Sequence, residues 1–348
     1  MRKTLFGLAA AVCAAALLGS TACDNDGGGS TGTEKLPRVA YITNGIDPFW
    51  DTAIAGARVG AKEFKLEVEP HKPAQGLTDQ NRILESLLAK RIDGIAISPI
   101  DAAGQVDVIN AACAQTKVIT HDSDAPATKR LCFIGVNNYK AGRQVGKLVK
   151  EAMPDGGSVM IFVGRLEQLN AQQRRQGVID ELLDRPVQDL NAVKFDPQSG
   201  ELKGPKYTVL DTRTDGFKYD RAKGNAEEAI TRYPDLGCMV GLFAYNPPQC
   251  LEAIRGAGKV GKIKLVGFDE QDATLAGIKE GAVHGTVSQQ PFRYGRESMR
   301  ILAGLVKGDN SVLPPGGYLE LEGVVVKKDN VEKFWAELKE QQAQGKTE

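Results

Sequence analysis

Short apolar runs recur along the chain from residue 39 onward, and they alternate with longer stretches whose apolar residues lie three or four positions apart. The short runs predict buried strands, and the longer stretches predict amphipathic helices. The predicted strands cover residues 39–43, 66–68, 94–98, 118–120, 131–135, 159–163, 207–210, 238–243, 264–268 and 283–288. The predicted helices cover 49–64, 78–91, 226–233 and 301–306, with Thr78 as the N-cap of the second, and a terminal helix is expected in the charged tail 332–348.

This alternation predicts the α/β fold class. Repeated strand–helix units imply right-handed crossovers and parallel sheets with helices on both faces. The two halves of the chain repeat the same order of elements, and its 348 residues exceed the roughly 250–300 that one core usually covers. We therefore expect two doubly wound parallel-sheet lobes, with a ligand cleft between the carboxyl ends of their strands.

The amino terminus has the pattern of an export signal. Arg2 and Lys3 precede an apolar run at 5–18 that is too short for a permanent membrane span. Small residues then lead to Cys23, which predicts a signal peptide at 1–22 and a lipid on Cys23. Ser20 stands where lipoproteins usually carry Leu, so an ordinary secretory signal cleaved nearby is the alternative.

The small, polar segment that follows Cys23 predicts a flexible tether, so that 23–36 comprises the lipid anchor and its linker. We therefore expect a periplasmic or cell-surface protein that is anchored to the membrane by lipid.

Charge and cysteine content exclude several function classes. Lys and Arg total 44 and Asp and Glu total 44, so the net charge gives no basis for binding nucleic acid or an acidic membrane. The four cysteines after the tether are compatible with two disulfides or with four free thiols. If neighbours in the sequence paired, the disulfides would join Cys113 to Cys132 and Cys238 to Cys250. No two cysteines have zinc-ligand spacing and the chain has 3 His, so no metal site is predicted.

Two strand ends carry the most informative side chains. The motif Asp-Pro-Phe-Trp at 47–50 follows the first predicted strand, and Gly-Phe-Asp-Glu at 267–270 ends a later one. Asp47 suits a helix N-cap, but the adjacent rings of Phe49 and Trp50 cannot both face one core, so at least one should face the cleft. Rings that stack, together with carboxylates such as Asp269 that accept hydroxyl hydrogen bonds, indicate a pocket for a small sugar or polyol.

Polar residues follow further strands, and each has a purely structural alternative. Asp122 follows the predicted strand at 118–120, and the structural alternative is a turn in which it bonds to the local backbone. Asn170 lies at the start of a predicted helix, and its structural alternative is the role of N-cap. Asn246 precedes a helix that begins with two prolines, and Gln289 closes the strand at 283–288. Arg174 lies in the first turn of its helix, where a cation opposes the helix dipole, so it should have a carboxylate or ligand partner.

The motifs of the common reaction classes are missing from the sequence. It lacks G-x-S-x-G, H-E-x-x-H and a G-x-G-x-x-G after a strand, and residues 142–147 match a phosphate loop only loosely. A glycosidase-like acid pair is compatible with the number of carboxylates, but no local motif supports one. We therefore predict a binding protein without a cofactor, not an enzyme.

In this order the motifs resemble the type I periplasmic sugar-binding proteins of ABC transporters, the ribose, galactose and xylose class, in lipoprotein form. The resemblance extends from about residue 37 to about residue 328. It rests on the segments 47–50, 94–99, 122, 135–138, 142–143, 174–177, 246, 266–269 and 286–289. It implies a receptor that captures a sugar or polyol in the cleft and delivers it, as a monomer, to an ABC permease.

The resemblance also implies a set of ligand-contacting residues drawn from both lobes. They are Asp47, Phe49, Trp50, Asp122, Ser123, Asn170, Gln172, Tyr219, Asn246, Phe268, Asp269 and Gln289. Ribose binders carry Arg where this chain has Ser123, and a second Arg where it has Gln172. The loss of two guanidinium donors argues against ribose itself and for a differently hydroxylated or larger ligand.

The resemblance further implies three hinge crossings, near Val136, Gln290 and Glu322. The N-terminal lobe would then comprise 37–136 and 290–321, and the C-terminal lobe 137–289 and 322–348. Two alternatives share this fold: a ligand-binding sensor subunit for a membrane signalling protein, and a receptor for a nucleoside-like ligand. A transcriptional regulator of the same superfamily would need a DNA-binding headpiece in place of the export signal, and an exported hydrolase would need paired acids in the cleft.

Overall fold

The structure, a computed structural model, describes residues 35–346. The predicted signal peptide, Cys23 and the tether up to residue 34 lie outside the described residues, as do residues 347 and 348. Within the described part of the chain, no helix has both the length and the apolar character needed to cross a membrane.

Strands and helices alternate along the described residues. The strands are β1 (Arg38–Ile42), β2 (Glu67–His71), β3 (Gly94–Ile97), β4 (Lys117–His121), β5 (Phe133–Gly135), β6 (Gly157–Val163), β7 (Leu202–Lys203), β8 (Tyr207–Thr214), β9 (Leu236–Gly241), β10 (Lys264–Phe268), β11 (Gly285–Ser288), β12 (Tyr318–Glu320) and β13 (Val324–Val326). The helices are α1 (Pro48–Phe64), α2 (Leu77–Ala89), α3 (Val106–Cys113), α4 (Asn138–Ala152), α5 (Leu169–Leu182), α6 (Tyr219–Arg232), α7 (Asn246–Gly256), α8 (Asp272–Glu280), α9 (Pro291–Val306) and α10 (Val331–Gln344).

The strands form two sheets. The six-stranded sheet has the order β2-β1-β3-β4-β5-β12 and is parallel throughout. The seven-stranded sheet has the order β7-β8-β6-β9-β10-β11-β13, and only its edge strands β7 and β13 run antiparallel to their neighbours. The predicted α/β class with two doubly wound parallel sheets is therefore confirmed.

Helices cover both faces of each sheet because the strands are apolar on both sides. In β1, Val39 and Tyr41 pack into the core beneath α1 and α9, whereas Ala40 and Ile42 pack into the core beneath α2 and α3. We call the six-stranded sheet with α1, α2, α3 and α9 the first lobe, and the seven-stranded sheet with α4 to α8 the second lobe.

The chain passes between the two sheets in three places. It leaves the first sheet after β5, returns to the first lobe at α9 after β11, and leaves again in the short segment between β12 and β13. β5 pairs with β12 in the first sheet, and β11 pairs with β13 in the second. Because each passage begins or ends at one of these paired strands, the three passages lie next to one another along the boundary between the sheets.

The terminal helix α10 contacts both lobes. Leu338 and Trp335 pack in the core of the second lobe, and Trp335 Nε1 donates a 2.8 Å hydrogen bond to Asp272. Near its carboxyl end, Gln342 Nε2 donates a 2.9 Å hydrogen bond to Thr52 Oγ1 in α1 of the first lobe. The helix therefore gives the two lobes a further contact besides the three chain passages.

Local predictions had mixed outcomes. Asp47 caps α1 as expected, and its carboxylate accepts a 2.8 Å hydrogen bond from the Phe49 amide. The Thr78 cap was wrong: α2 begins at Leu77 after Gly76, which has a left-handed φ of 69°. The structure contains free thiols at Cys113, Cys132, Cys238 and Cys250, so neither sequence-neighbour disulfide is present.

Candidate ligand-binding site

A cavity of about 380 Å³ lies between the two lobes. The loops after β1, β4, β8 and β10 contribute to its lining, together with the first turns of α1 and α5. Because the carboxyl ends of both parallel sheets meet here, the polar groups that follow each strand converge on one space.

Aromatic rings form part of the wall on both sides of the cavity. In the first lobe, Phe49 and Trp50 meet edge to face with ring centroids 4.8 Å apart. In the second lobe, Phe217 stacks on Phe243 at 5.5 Å. The C–H faces of a sugar ring pack well between such walls, since aromatic side chains supply large apolar contact area.

Trp50 is held from behind by a buried histidine. The ring of His121 lies 5.8 Å from Trp50 and stacks on Tyr41 at 4.2 Å. Burial lowers the pKa of His121 to about 3, so its ring is neutral at physiological pH. His121 therefore supports the aromatic wall by packing.

Asp122 is the polar centre of the first lobe's side of the cavity. Its Oδ2 atom accepts hydrogen bonds from Ser98 Oγ at 2.9 Å, from Asn44 Nδ2 at 3.3 Å and from Asn170 Nδ2 at 3.3 Å. Asn170 belongs to the second lobe, so this carboxylate already joins the two lobes. Burial raises the pKa of Asp122, and the nearby charge of Arg174 opposes that shift.

Arg174 lies between the carboxylates and is 1% exposed. Its guanidinium donates to Asn138 Oδ1 at 2.8 Å and to Gln289 Oε1 at 2.5 Å, and it lies 3.5 Å from Asp122 Oδ1. The group also lies over the ring of Phe268, 4.2 Å from its centroid. The expected carboxylate partner of Arg174 is therefore present, although the helix begins at Leu169 and so places this cation in its second turn instead of its first.

Asp269 provides the corresponding carboxylate of the second lobe. Its Oδ1 accepts a 2.8 Å hydrogen bond from Gln289 Nε2, and burial raises its pKa to about 7. Asp122 and Asp269 share a left-handed backbone, with φ values of 59° and 66°, and each amide bonds to the neighbouring strand. Two equivalent strand ends thus hold carboxylates in an uncommon conformation that turns them toward the cavity.

Gln168 borders the cavity, and its side chain has no hydrogen bond to another described residue. The residue is fully buried, and both atoms of its amide group lack a partner among the described residues. Leaving a buried amide unpaired costs on the order of 1–3 kcal/mol, so such groups are normally satisfied by water or by a ligand.

Most of the predicted ligand residues line this cavity. They are Asp47, Phe49, Trp50, Asp122, Asn170, Tyr219, Asp269 and Gln289. The structure brings these residues together from six separate chain segments, which supports the predicted location of the cleft.

Four predicted ligand residues do not line the cavity. Gln172 turns away and donates to the Leu166 carbonyl at 2.5 Å, and Phe268 lies beneath the Arg174 guanidinium. Asn246 donates to Asp215 at 2.9 Å and accepts from the Phe243 amide, so it holds a turn. Ser123 is buried beside Asp122 but outside the lining.

Arg174 was expected to have a carboxylate or ligand partner but was not among the predicted ligand-contacting residues, and Gln168 was not predicted at all. A signal for Arg174 existed, because Asn170 and Arg174 are four positions apart and so share a helix face, whereas Asn170 and Gln172 do not. No sequence pattern distinguishes Gln168, because what makes it notable is that its buried side-chain amide has no hydrogen-bond partner among the described residues. Among the described residues no cluster of His, Cys, Asp and Glu is arranged to hold a metal ion.

Comparison with known proteins agrees with this geometry. A family model described as a periplasmic binding protein domain matches residues 39–310. The chain belongs to this periplasmic binding protein family. Members of the family are transport receptors that act outside the cytoplasm.

Individual relatives are distant but cover most of the chain. The D-ribose/D-allose-binding protein of Pseudomonas aeruginosa is 25% identical over 291 residues, which are 78% of this chain and 84% of that protein. The fructose import binding protein of Bifidobacterium longum is 22% identical over 326 residues, 88% of this chain and 91% of that protein. A solute-binding protein from Burkholderia graminis, solved in complex with D-arabinose, aligns with a TM-score of 0.75 and 25% identity over 84% of this chain and 96% of its own.

Proposed function

We propose that this periplasmic binding protein captures a sugar or polyol between its two lobes and delivers it to an ABC permease. The cavity combines stacking rings, buried carboxylates and amides, which is the chemistry that a hydroxyl-rich ligand requires. The relatives named above bind ribose, allose, fructose and arabinose, and this supports the ligand class.

The unpaired amide of Gln168 is the observation that carries the proposal. Every other buried polar group at the cavity centre has protein partners, including Asp122, Arg174, Asp269 and Gln289. Gln168 differs, because both atoms of its side-chain amide lack a partner among the described residues, although neither is exposed to the cavity in this closed arrangement. A small rotation of this side chain would present one acceptor and two donors to the cavity, where a ligand with adjacent hydroxyl groups would satisfy both atoms.

Binding and closure are coupled in this proposal. The aromatic walls, Asp122 and Asp269 belong to different lobes, so a ligand contacts all of them only when the lobes are together. A ligand that binds the closed form better than the open form shifts the equilibrium toward closure. The closed form would then present a joint surface of both lobes to the permease.

The three chain passages supply the hinge. We place the hinge near Val136, Gln290 and Glu322, with 37–136 and 290–321 as one moving body and 137–289 with the residues after 322 as the other. Helix α10 continues the second body but also contacts α1, so it leaves α1 when the cleft opens.

An anchor on Cys23 would keep the receptor next to its permease. A lipidated Cys23 followed by a tether fits a receptor that acts outside the cytoplasm. Mass spectrometry of the mature amino terminus tests this part, and a Cys23→Ser variant should be released from membranes. Retention of that variant in the membrane fraction would contradict lipid anchoring.

A thermal-shift screen tests the function itself. The protein would be mixed with pentoses, hexoses, inositols, nucleosides and amino acids, and its melting temperature recorded. A ligand at a hundredfold excess over its dissociation constant stabilises by about 2.7 kcal/mol. We expect a shift with a sugar or polyol that disappears in Gln168→Leu, and a shift only with nucleosides or amino acids would overturn the sugar class.

A further inference from the structure

Two cations at the mouth of the cavity have no acidic partner in the part of the chain that the structure describes. Arg165 lies in the loop between β6 and α5, and Lys218 is the residue before α6. Neither side chain forms an ion pair or hydrogen bond with another described residue. Arg165 is half-buried, with its guanidinium 5.2 Å from the centroid of the Phe217 ring.

Arg165 reaches across the cleft. Its Nη1 atom lies 3.6 Å from the position that a Cβ atom on Gly76 would occupy, although Gly76 belongs to the first lobe and Arg165 to the second. Stacking on Phe217 holds the long side chain in place at little entropic cost. The guanidinium is therefore positioned over the entrance, and none of its N–H donors is bonded to a residue between 35 and 346.

The other charged groups of the lining are already engaged. Arg174 bonds to Asn138 and Gln289, Asp47 accepts a hydrogen bond from Tyr219, and Asp269 accepts one from Gln289. If all were ionised, the negative charges of the lining acids would equal the positive charges of the lining bases. The acids are Asp47, Asp122 and Asp269, and the bases are Arg165, Arg174 and Lys218. Burial raises the pKa of Asp269 to about 7, however, and so reduces the negative charge that the cavity carries near neutral pH.

Acids outside the lining do not neutralise the mouth. Glu167 and Asp220 are the nearest acids in sequence to Arg165 and Lys218, but both are exposed and neither lines the cavity. Asp47 of the lining also lies at the mouth, where its carboxylate accepts hydrogen bonds from Tyr219 and Gln271. Arg165 and Lys218 together outweigh this single carboxylate, so the entrance carries a net positive charge, while the deep part of the cavity is polar and carboxylate-bearing.

We propose that the physiological ligand is an acidic sugar, whose ring occupies the deep cavity while its carboxylate or phosphate binds Arg165 and Lys218 at the mouth. This inference rests on the proposed function and specifies its substrate class. Arginine is suited to this role because its planar fork binds both oxygens of a carboxylate or phosphate. Lys218 adds a second charge that is free to adjust to either group.

The test uses pairs of ligands that differ only in the anionic group. Calorimetric titration of the full chain would compare D-galactose with D-galacturonate, D-glucose with D-glucuronate, and D-ribose with D-ribose 5-phosphate. We expect at least one anionic ligand to bind tenfold or more tightly than its neutral partner. The uronates and the phosphate form separate arms, so the result also decides between a carboxylate and a phosphate.

The variant Arg165→Met keeps an apolar contact with Phe217 and removes the charge. It should weaken binding of the anionic ligand at least tenfold, leave its neutral partner within twofold, and leave the melting temperature of the free protein unchanged. Arg221→Met, an exposed arginine of α6 outside the lining, is the matched control and should change neither affinity.

Failure of this inference and failure of the sugar proposal give different results. Equal or tighter binding of the neutral sugars, or equal losses for both ligands in Arg165→Met, would overturn the acidic-sugar class and retain a sugar receptor. Binding of no sugar in either form would overturn both.

Discussion

The hydroxyl of Tyr219 donates a 2.7 Å hydrogen bond to Asp47 Oδ2 across the mouth of the cleft. Asp47 belongs to the first lobe and Tyr219 to the second, and Gln271 of the second lobe adds a 3.1 Å bond to the same oxygen. Both residues were predicted to contact ligand, and the structure instead pairs them with each other at the rim. The bond forms only while the lobes are together, so its energy contributes to closure.

Tyr219→Phe should therefore weaken ligand binding without weakening the fold. The ring of Phe can still stack on Tyr245, which lies 4.9 Å away, so only the hydrogen bond is lost. A loss of about 1 kcal/mol corresponds to roughly fivefold weaker binding. Calorimetry would measure the affinity, with Tyr233→Phe at the far end of α6 as control. Equal affinity in the two variants would show that the bond does not contribute to closure.

Arg174→Met should destabilise the protein strongly. The change removes the cation beside Asp122 and the donor to Gln289, and it leaves both oxygens buried. Breaking a buried ion pair from one side costs about 3–5 kcal/mol. Urea unfolding would measure the loss against Arg300→Met, which removes a half-exposed arginine paired with Glu297 and should cost about 1 kcal/mol or less. Similar losses in both variants would contradict the central role of Arg174.

Stability of the ligand-free protein should fall between acidic and neutral pH because of Asp269. Burial raises the pKa of this carboxyl to about 7, from an ordinary value of 3.8, so the folded state holds its proton where the unfolded state has lost it. This contribution is complete below pH 3.8 and is lost as the pH rises to about 7. Burial also raises the pKa values of Asp47, Asp122, Asp215 and Glu270, which act in the same direction.

The comparison that isolates Asp269 is the variant Asp269→Asn. Its unfolding free energy should fall less between pH 5 and pH 8 than that of the unmodified protein, since the amide does not titrate. Urea unfolding at both pH values gives the difference. An identical fall in the two proteins would show that Asp269 ionises normally in the folded state.

The close contact of α10 with α1 gives a prediction away from the ligand. A Cβ atom at Gly345 would overlap Ala55 of α1, so Gly345→Val should push the end of α10 off the first lobe. Overpacking of this kind costs about 1–3 kcal/mol, and ligand affinity should fall roughly tenfold. Ala343→Val, at an exposed position two residues earlier, should bind normally. Equal binding by both variants would show that α10 does not follow the closing motion.

The order of strands and helices was predictable because buried parallel strands are short apolar runs with turn residues at their ends. Ten such runs were predicted, and each overlaps a strand of the structure. The strands β7, β12 and β13, each of two or three residues, were missed. Their pairing partners lie far away in sequence or at a sheet edge, and no local pattern encodes that pairing.

The candidate site was predictable where a side chain directly follows a strand, as with Asp122 and Asp269. It was not predictable where the strand end was misplaced. β8 continues to Thr214, four residues beyond the predicted end at 210, so Asp215 and Phe217 were not recognised as strand-end residues. Asp215 matters because it accepts hydrogen bonds from Tyr245 and Asn246, which explains why Asn246 supports the cavity wall instead of lining it.

The last turn of helix α10 is a natural place from which to observe the cleft. Its last turn lies against α1, so a small fluorophore attached to Lys346 would change its surroundings whenever the lobes separate, and it would report ligand capture without any change to the cavity. For the same reason, a bulky purification tag fused at this end would crowd α1 and hold the receptor open. Affinities measured on such a fusion would understate the true affinity, although nothing near the ligand had been altered.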